Sequence, residues 1–358
     1  MNKYRILAVN PGSTSTKIAV YENETNVFLK NIKHTADELA EFKDIASQDN
    51  FRKSAILREL KEAGQDINTM DIVVGRGGLV KFIPSGVYQV NEAMISDLHK
   101  SPMGEHASNL GGLIAHDLVQ SMNNVKAYIA DPVVVDELED IARITGHPNF
   151  ERVSIFHALN QKAIARKFAS EIDAKYENLN LIVVHLGGGI SVGAHLQGKV
   201  IDVNNALNGE GPFSPERTGT LPAWQLADYC LSGKAEKSVI KKMITGKGGF
   251  VAYLNTNDAY AVEMRAKEGD EKAQFISDAM AYQVSKEIGA MATVLKGIVD
   301  GILLTGGIAY NKQFCSFIEQ MVGFIAPVKV YAGEDEMMAL ALNGLMVLRG
   351  EIEEKVYK

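Results

Sequence analysis

Residues 10–17 read Asn10-Pro11-Gly12-Ser13-Thr14-Ser15-Thr16-Lys17, set between an apolar strand at 6–9 and a second at 18–21. The pattern returns halfway along the chain. A strand at 181–184 runs into His185-Leu186-Gly187-Gly188-Gly189-Ile190-Ser191 and out through 192–196. A shift of 175 positions lays Ala8 on Val183, Gly12 on Gly187 and Ala19 on Ala194, and a further apolar stretch follows each copy, at 27–32 and 199–203. Glycine lets backbone N–H groups approach an anion closely, and the hydroxyls of residues 13–16 add donors. Two such units, one per half, are expected to form phosphate-holding hairpins facing each other across a cleft, in an enzyme of phosphoryl groups built by duplication.

Outward from the first turn, a charged stretch through Gly64 reads as helical, and a strand at 70–74 ends in Gly75-Arg76-Gly77-Gly78. Helices are expected at 91–99 and 107–122, and a strand at 125–130 closes on Asp131-Pro132, where proline disfavours helix. The second half repeats this order, with a long helix over 271–299, a strand at 301–304 before Thr305-Gly306-Gly307, and a closing helix at 336–349. Strands alternating with helices argue for α/β domains on mixed sheets. Each glycine turn leads to another strand, and neither GxGxxG nor GxxxxGK[ST] occurs, so dinucleotide-binding and P-loop readings fail.

The chain has 358 residues, room for two cores, and 46% hydrophobic with 23% charged residues is an ordinary globular composition. A formal charge of −7 argues against general nucleic-acid binding. Cys230 and Cys315 make no disulfide framework and read as buried free thiols in a reducing compartment. The chain shows no signal segment and no apolar run of the ~20 residues a membrane span requires, so a cytoplasmic location without membrane attachment is expected.

Several side chains carry candidate chemistry. Arg76 sits between glycines after a buried strand, where it is able to bind carboxylate or phosphate bidentately; a turn arginine is the rival reading. Asp131 ends a strand and suits Mg²⁺, or simply caps its turn. His157 follows an apolar run and is placed to donate to a transferring phosphoryl group, although a satisfied core histidine is the rival reading there and at His185. The irregular segment 209–219 carries Arg217, suited to neutralise developing charge. Glu334-Asp335-Glu336 precedes the last helix, where acids also favour the helix dipole. The run Leu303-Leu304-Thr305-Gly306-Gly307-Ile308-Ala309-Tyr310-Asn311 is able to cradle an adenosine edge.

Together these pieces resemble the acetate and sugar kinase, Hsp70 and actin superfamily, and within it the acetokinase family. Residues 10–17 resemble the first phosphate motif of that family, 185–191 the second and 303–311 the adenosine motif, over nearly the whole chain. The resemblance implies an α/β protein of two duplicated ribonuclease-H-like domains, the actin-like ATPase fold, around a central cleft. Residues 1–150 with a returning helix at 337–358 would form one domain, and 151–336 the nucleotide-binding domain. It implies reversible phosphoryl transfer between ATP and butyrate, giving butyryl phosphate and ADP with Mg²⁺ by direct in-line attack, usually in a homodimer. Other short-chain acids, including isobutyrate, propionate and acetate, are the near alternatives; a non-catalytic ATP-driven switch is the distant one.

By motif, the resemblance places Asn10, Gly12, Ser13, Ser15 and Lys17 around the transferred group, and His185, Gly187, Gly188, Gly189, Gly306, Gly307 and Asn311 around the nucleotide. Arg76 would hold the substrate carboxylate, His157 the phosphoryl group and Arg217 the transition state, while Asp131, Glu336, Glu334 and Asn10 are the candidates for the metal. Where acetate kinases typically read NAGSSS, HLGNG and FHGTSH, this chain has NPGSTS, HLGGG and FHALNQ, which favours an acyl chain longer than acetate.

Overall fold

The computed structural model describes residues 3–358, which divide into two compact units, 3–135 with 335–358, and 136–334. The divisions fall at Val135/Asp136 and Glu334/Asp335, not at the 150 and 336 expected from the sequence.

The first unit holds a seven-stranded sheet made of β1 (Arg5–Pro11), β2 (Ser15–Glu22), β3 (Thr25–Lys33), β4 (Ile72–Arg76), β5 (Val87–Gln89), β6 (Lys126–Ala130) and, from the chain's end, Lys355–Val356. β1, β2 and β3 form an antiparallel meander; β4 joins β1 in parallel and β6 joins β4 in parallel. Ile6, Leu7, Ala8 and Val9 are wholly buried, as a strand covered on both faces requires. Leu7, Val9 and Val73 pack with Ile56 and Leu60 of the helix Asp49–Glu62 and with Leu110 and Ile114 of Asn109–Val119. The helix Glu336–Leu348 covers the opposite face, where Gly344 leaves no room for a Cβ beside Val74. β3, the edge strand, is mostly exposed and carries Lys30 and Lys33, which discourage further pairing. At the other edge Tyr357 is buried: its hydroxyl donates to Asp97 at 2.7 Å and accepts from the Lys81 N–H at 3.0 Å, and its carbonyl accepts from Asn91.

The second unit has the same plan in five strands: β7 (Asn180–Leu186), β8 (Ile190–Leu196), β9 (Lys199–Val203), β10 (Gly301–Gly306) and β11 (Val328–Ala332). The antiparallel meander β7–β8–β9 is extended in parallel by β10 and β11. Ile182 and Val184 face the long helix Glu271–Val294, while Leu181, Val183 and Leu303 face Ala165 and Phe168 of Ala158–Glu171.

The two hairpins differ by one residue. Ala8 pairs with Ala19, but Val183 pairs with Gly193, so the 175-position shift holds for the first strand of each copy and fails for the second. The first turn has the extra residue: Gly12 N–H donates to Ser15 C=O at 2.7 Å, whereas Gly187 N–H donates to Gly189 C=O at 3.1 Å. Of the two thiols only Cys315 is buried, its pKa pushed up to about 11 chiefly by burial, with Glu319 adding to the rise. Cys230 is exposed because its helix, Ala223–Leu231, buries none of its residues. Among the described residues no helix is long and apolar enough to cross a membrane.

Candidate active site

In the first unit the candidate residues collect at the carboxyl ends of the parallel strands, where ligands of open α/β sheets bind. Asn10 is the last residue but one of β1, Arg76 closes β4 and Asp131 follows β6. Arg76 reaches this edge because Gly75 and Gly111 let strand and helix touch: a Cβ on Gly111 would lie 2.2 Å from the Arg76 carbonyl. The Arg76 guanidinium holds Glu336 at two points, Nη2 to Oε1 at 3.1 Å and Nη1 to Oε2 at 3.3 Å. Asn10 joins them, donating from Nδ2 to Glu336 Oε2 at 2.6 Å and accepting at Oδ1 from Arg76 Nη1 at 3.3 Å. Magnesium takes hard oxygen donors and few protein ligands when phosphates and waters supply the rest. Glu336 and Asn10 fit that demand, and among the described residues no cluster of three His, Cys, Asp or Glu offers a fuller cage.

Asp131 is buried, at a φ of 37°, and its Oδ1 accepts from Ser85 Oγ at 2.6 Å and the Gly86 N–H at 2.9 Å. It therefore does what a turn-capping aspartate does. Ser13 and Thr14 are exposed at the tip of the first turn, Gly12 and Ser15 partly so, and Lys17 lies exposed on β2 opposite Asn10. Thr16 is different: it is wholly buried, with Oγ1 2.9 Å from His34 Nε2. Only three of the four consecutive hydroxyls thus remain at the surface.

Beneath that turn lies a residue the sequence did not reveal. Arg52, 1% exposed, donates to the carbonyls of Gly12 at 2.7 Å, Ser13 at 3.1 Å and Ser15 at 3.0 Å, and to Thr16 Oγ1 at 3.2 Å. Gln48 Oε1 accepts from its Nε and Nη2. Burial pulls its pKa down to about 10. Turning the carbonyls inward onto Arg52 leaves the turn a positive potential from beneath. Nothing local marks Arg52 among the other charges of its helix.

In the second unit His185, on β7, precedes the glycine turn, and His157 stands at the start of the helix Ala158–Glu171. Their rings stack, centroids 3.7 Å apart and planes 11° from parallel. His185 Nδ1 lies 2.8 Å from Asn160 Oδ1, and Nε2 lies 3.4 Å from Glu334 Oε1. The two acids flanking Asp335 thus have different partners, Glu334 meeting His185 and Glu336 meeting Arg76 and Asn10.

Arg217 explains the third glycine of the turn. A Cβ on Gly189 would lie 1.9 Å from Arg217 Nη1, so only glycine lets the guanidinium pass. Nη1 donates to the Ala206 carbonyl, and among the described residues the buried Nε has no partner. Burial lowers the Arg217 pKa against the pull of Glu216. An unpartnered, desolvated N–H on a cation suits an anion. Ser214 Oγ fixes the same turn by donating to the Gly188 carbonyl at 2.6 Å. Gly306, at a φ of 93°, lies so close to Leu186 that a Cβ would meet its carbonyl at 2.3 Å; Gly307 beside it has open space. Asn311 caps the helix Lys312–Val322, accepting from the Phe314 N–H at 3.0 Å.

The signature of the acetokinase family matches residues 151–330. Butyrate kinase 2 of Clostridium acetobutylicum is 56% identical, the alignment covering 99% of this chain and all of that one. A probable butyrate kinase of Bacteroides thetaiotaomicron is 57% identical with the same coverage. Among solved structures, Porphyromonas gingivalis acetate kinase superposes with a TM-score of 0.80 at 17% identity, over 96% of this chain and 100% of that one. A propionate kinase from Francisella tularensis gives 0.75 at 17% identity, over 95% and 98%. These structures share the actin-like ATPase fold with both units described above. With the signature over half its length and relatives more than half identical along nearly all of it, the chain belongs to the acetokinase family.

Proposed function

We propose that this protein is a carboxylate kinase whose substrate is butyrate, moving a phosphoryl group reversibly between ATP and butyrate with Mg²⁺. The observation that carries the reading is the 56% identity to butyrate kinase 2 along its full length.

A carboxylate has a pKa near 4.3, so at neutral pH it is already a nucleophile and needs no general base. What remains is positioning and charge stabilisation. Arg76 would orient the butyrate carboxylate through the two-point grip it now gives Glu336. Arg217, with its unpartnered Nε, and His157 would meet charge on the equatorial oxygens as the phosphoryl group loosens. The turn 12–15 and Lys17 would hold that group, with Gly187, Gly188 and Gly189 admitting the nucleotide phosphates and Gly306, Gly307 and Asn311 the adenosine. Magnesium, when bound, screens phosphate charge; Glu336 and Asn10 would hold it, with Asp131 and Glu334 the further candidates. The proposed assembly is a homodimer, for which light scattering of the purified protein is the check.

The deciding experiment traps acyl phosphate with hydroxylamine after incubation with ATP, Mg²⁺ and each straight-chain acid from acetate to valerate, and with isobutyrate. Butyryl hydroxamate in the highest yield is expected. A methylene is worth only ~1–3 kcal/mol in an apolar pocket, so the neighbouring acids react more slowly rather than not at all. No hydroxamate with any acid overturns the kinase reading.

A further inference from the structure

Four buried groups of the second unit form one hydrogen-bonded line that ends on His157. Tyr176 Oη lies 2.7 Å from His195 Nδ1, and His195 Nε2 lies 2.9 Å from Gln161 Oε1. Gln161 Nε2 donates to the Ser191 carbonyl at 3.1 Å and to Ser191 Oγ at 2.8 Å. Ser191 Oγ lies 2.9 Å from His157 Nδ1. His195, Gln161 and Ser191 are each wholly buried.

The direction of every hydrogen in this line is fixed by two backbone groups, the Ser191 carbonyl and the His157 N–H. The Ser191 carbonyl only accepts, so the end of Gln161 that faces it is the NH₂. Gln161 Oε1 is then an acceptor, and His195 must carry its proton on Nε2. Burial holds that imidazole neutral, its pKa well below the usual value, with the charges of Lys162 and Arg166 acting in the same sense. Its Nδ1 is therefore bare and accepts the Tyr176 hydroxyl proton. At the other end Ser191 Oγ accepts from Gln161 Nε2 and, at 3.5 Å, from the His157 backbone N–H. A hydroxyl has two acceptor sites and one hydrogen. Both sites are filled, so the hydrogen goes to His157 Nδ1.

We infer that Gln161 and Ser191 are positioning residues that lock His157 as the neutral tautomer with a bare Nδ1 and a protonated Nε2. The partner of one ring nitrogen determines the state of the other. His157 then presents a fixed N–H donor, the form that hydrogen-bonds a phosphoryl oxygen without first gaining a proton. This rests on the proposed role of His157 at the phosphoryl group; the tautomer itself does not. Gln161 comes from the FHALNQ segment, so the device belongs to a stretch where this chain departs from the acetate pattern.

The test is ¹⁵N NMR of histidine-labelled protein, wild type against Gln161→Glu and Ser191→Ala, with steady-state kinetics on the same samples. Wild type is expected to show an unprotonated Nδ1 and a protonated Nε2 at His157. An ionised glutamate at 161 has no hydrogens for Ser191, so the serine hydrogen turns to it and the His157 proton moves to Nδ1. Ser191→Ala removes the donor directly and should leave a mixture. Both variants should lose about 10²-fold in kcat with KM for ATP and butyrate within a factor of two, as for loss of a transition-state donor. A protonated Nδ1 in wild type, or the wild-type tautomer retained in Gln161→Glu, overturns the inference. The NMR result does not depend on whether acyl hydroxamate forms, so failure of the kinase reading is seen separately.

Discussion

Arg76 grips Glu336 at both ends of its carboxylate, with contacts of 3.1 and 3.3 Å, across a sequence separation of 260. Glu336 thereby offers Arg76 the same two oxygens that a fatty-acid carboxylate would. Arg76→Lys should raise KM for butyrate about 10- to 100-fold, because a charge-assisted hydrogen bond is worth ~1.5–3 kcal/mol and an ammonium has no fork. Glu336→Gln should tighten butyrate binding in the absence of metal by several-fold, measured calorimetrically. Unchanged butyrate KM in Arg76→Lys would show that the substrate carboxylate sits elsewhere.

Gly189 and Arg217 form a second dependent pair. Arg217→Ala is expected to cost about 10³-fold in kcat, in line with phosphoryl-transfer arginines elsewhere. Gly189→Ala places a methyl where Nη1 now lies, 1.9 Å away, and should reproduce much of that loss by displacing the guanidinium. If Gly189→Ala is as fast as wild type, the guanidinium has no fixed place in turnover.

The neighbouring glycines 306 and 307 separate packing from ligand contact. Gly306→Ala drives a Cβ into the Leu186 carbonyl at a positive φ and should lower Tm by several degrees or prevent folding. Gly307→Ala meets nothing within 4 Å, so Tm should hold while KM for ATP rises. An unaltered ATP KM would remove this loop from the adenosine site.

Acid should destabilise the protein through two histidines. Burial lowers the pKa of His195 and, together with the Arg52 charge, that of His34. Each is kept neutral in the fold, so the unfolded chain binds more protons below about pH 6.5. Stability is therefore full above that pH and falls as pH drops through it, by up to ~1.4 kcal/mol per unit for each histidine. Thermal melts from pH 7.5 to 5 should show the decline, and His195→Gln should flatten it. A wild-type Tm independent of pH over that range is the contrary result.

Arg52 supports the first turn through the carbonyls of Gly12, Ser13 and Ser15. Arg52→Met keeps much of the volume and orphans those acceptors, each at ~1–3 kcal/mol when buried. Lower Tm and a raised KM for the phosphoryl donor are expected together. A variant that melts early yet binds ATP normally would confine Arg52 to stability.

What the sequence revealed follows from the range of the interactions involved. The glycine turns, their flanking strands and the capped helices are local, so residues 6–21 and 181–196 already announced both hairpins. Arg217 stood out because one cation in an irregular loop is conspicuous. The turn-capping state of Asp131 needs Ser85 and Gly86, and the burial of Arg52 needs the turn it supports, 36 to 46 residues away. The missing residue in the second turn was invisible for a different reason: a glycine run aligns equally well with either register. Gln161 was noticed only as a departure, since nothing along the chain indicates that its amide lies between two histidines.

The return of residues 335–358 to the first unit also sets an order of events during synthesis. The helix Glu336–Leu348 and Tyr357, which ties Asp97, Lys81 and Asn91 to the sheet edge, emerge only after all of 136–334 has been made. The later-numbered unit is thus the first able to fold to completion. The earlier one waits on the ribosome with a face of its sheet uncovered, and a stop codon near 350 would strip it of its edge while leaving the other unit whole.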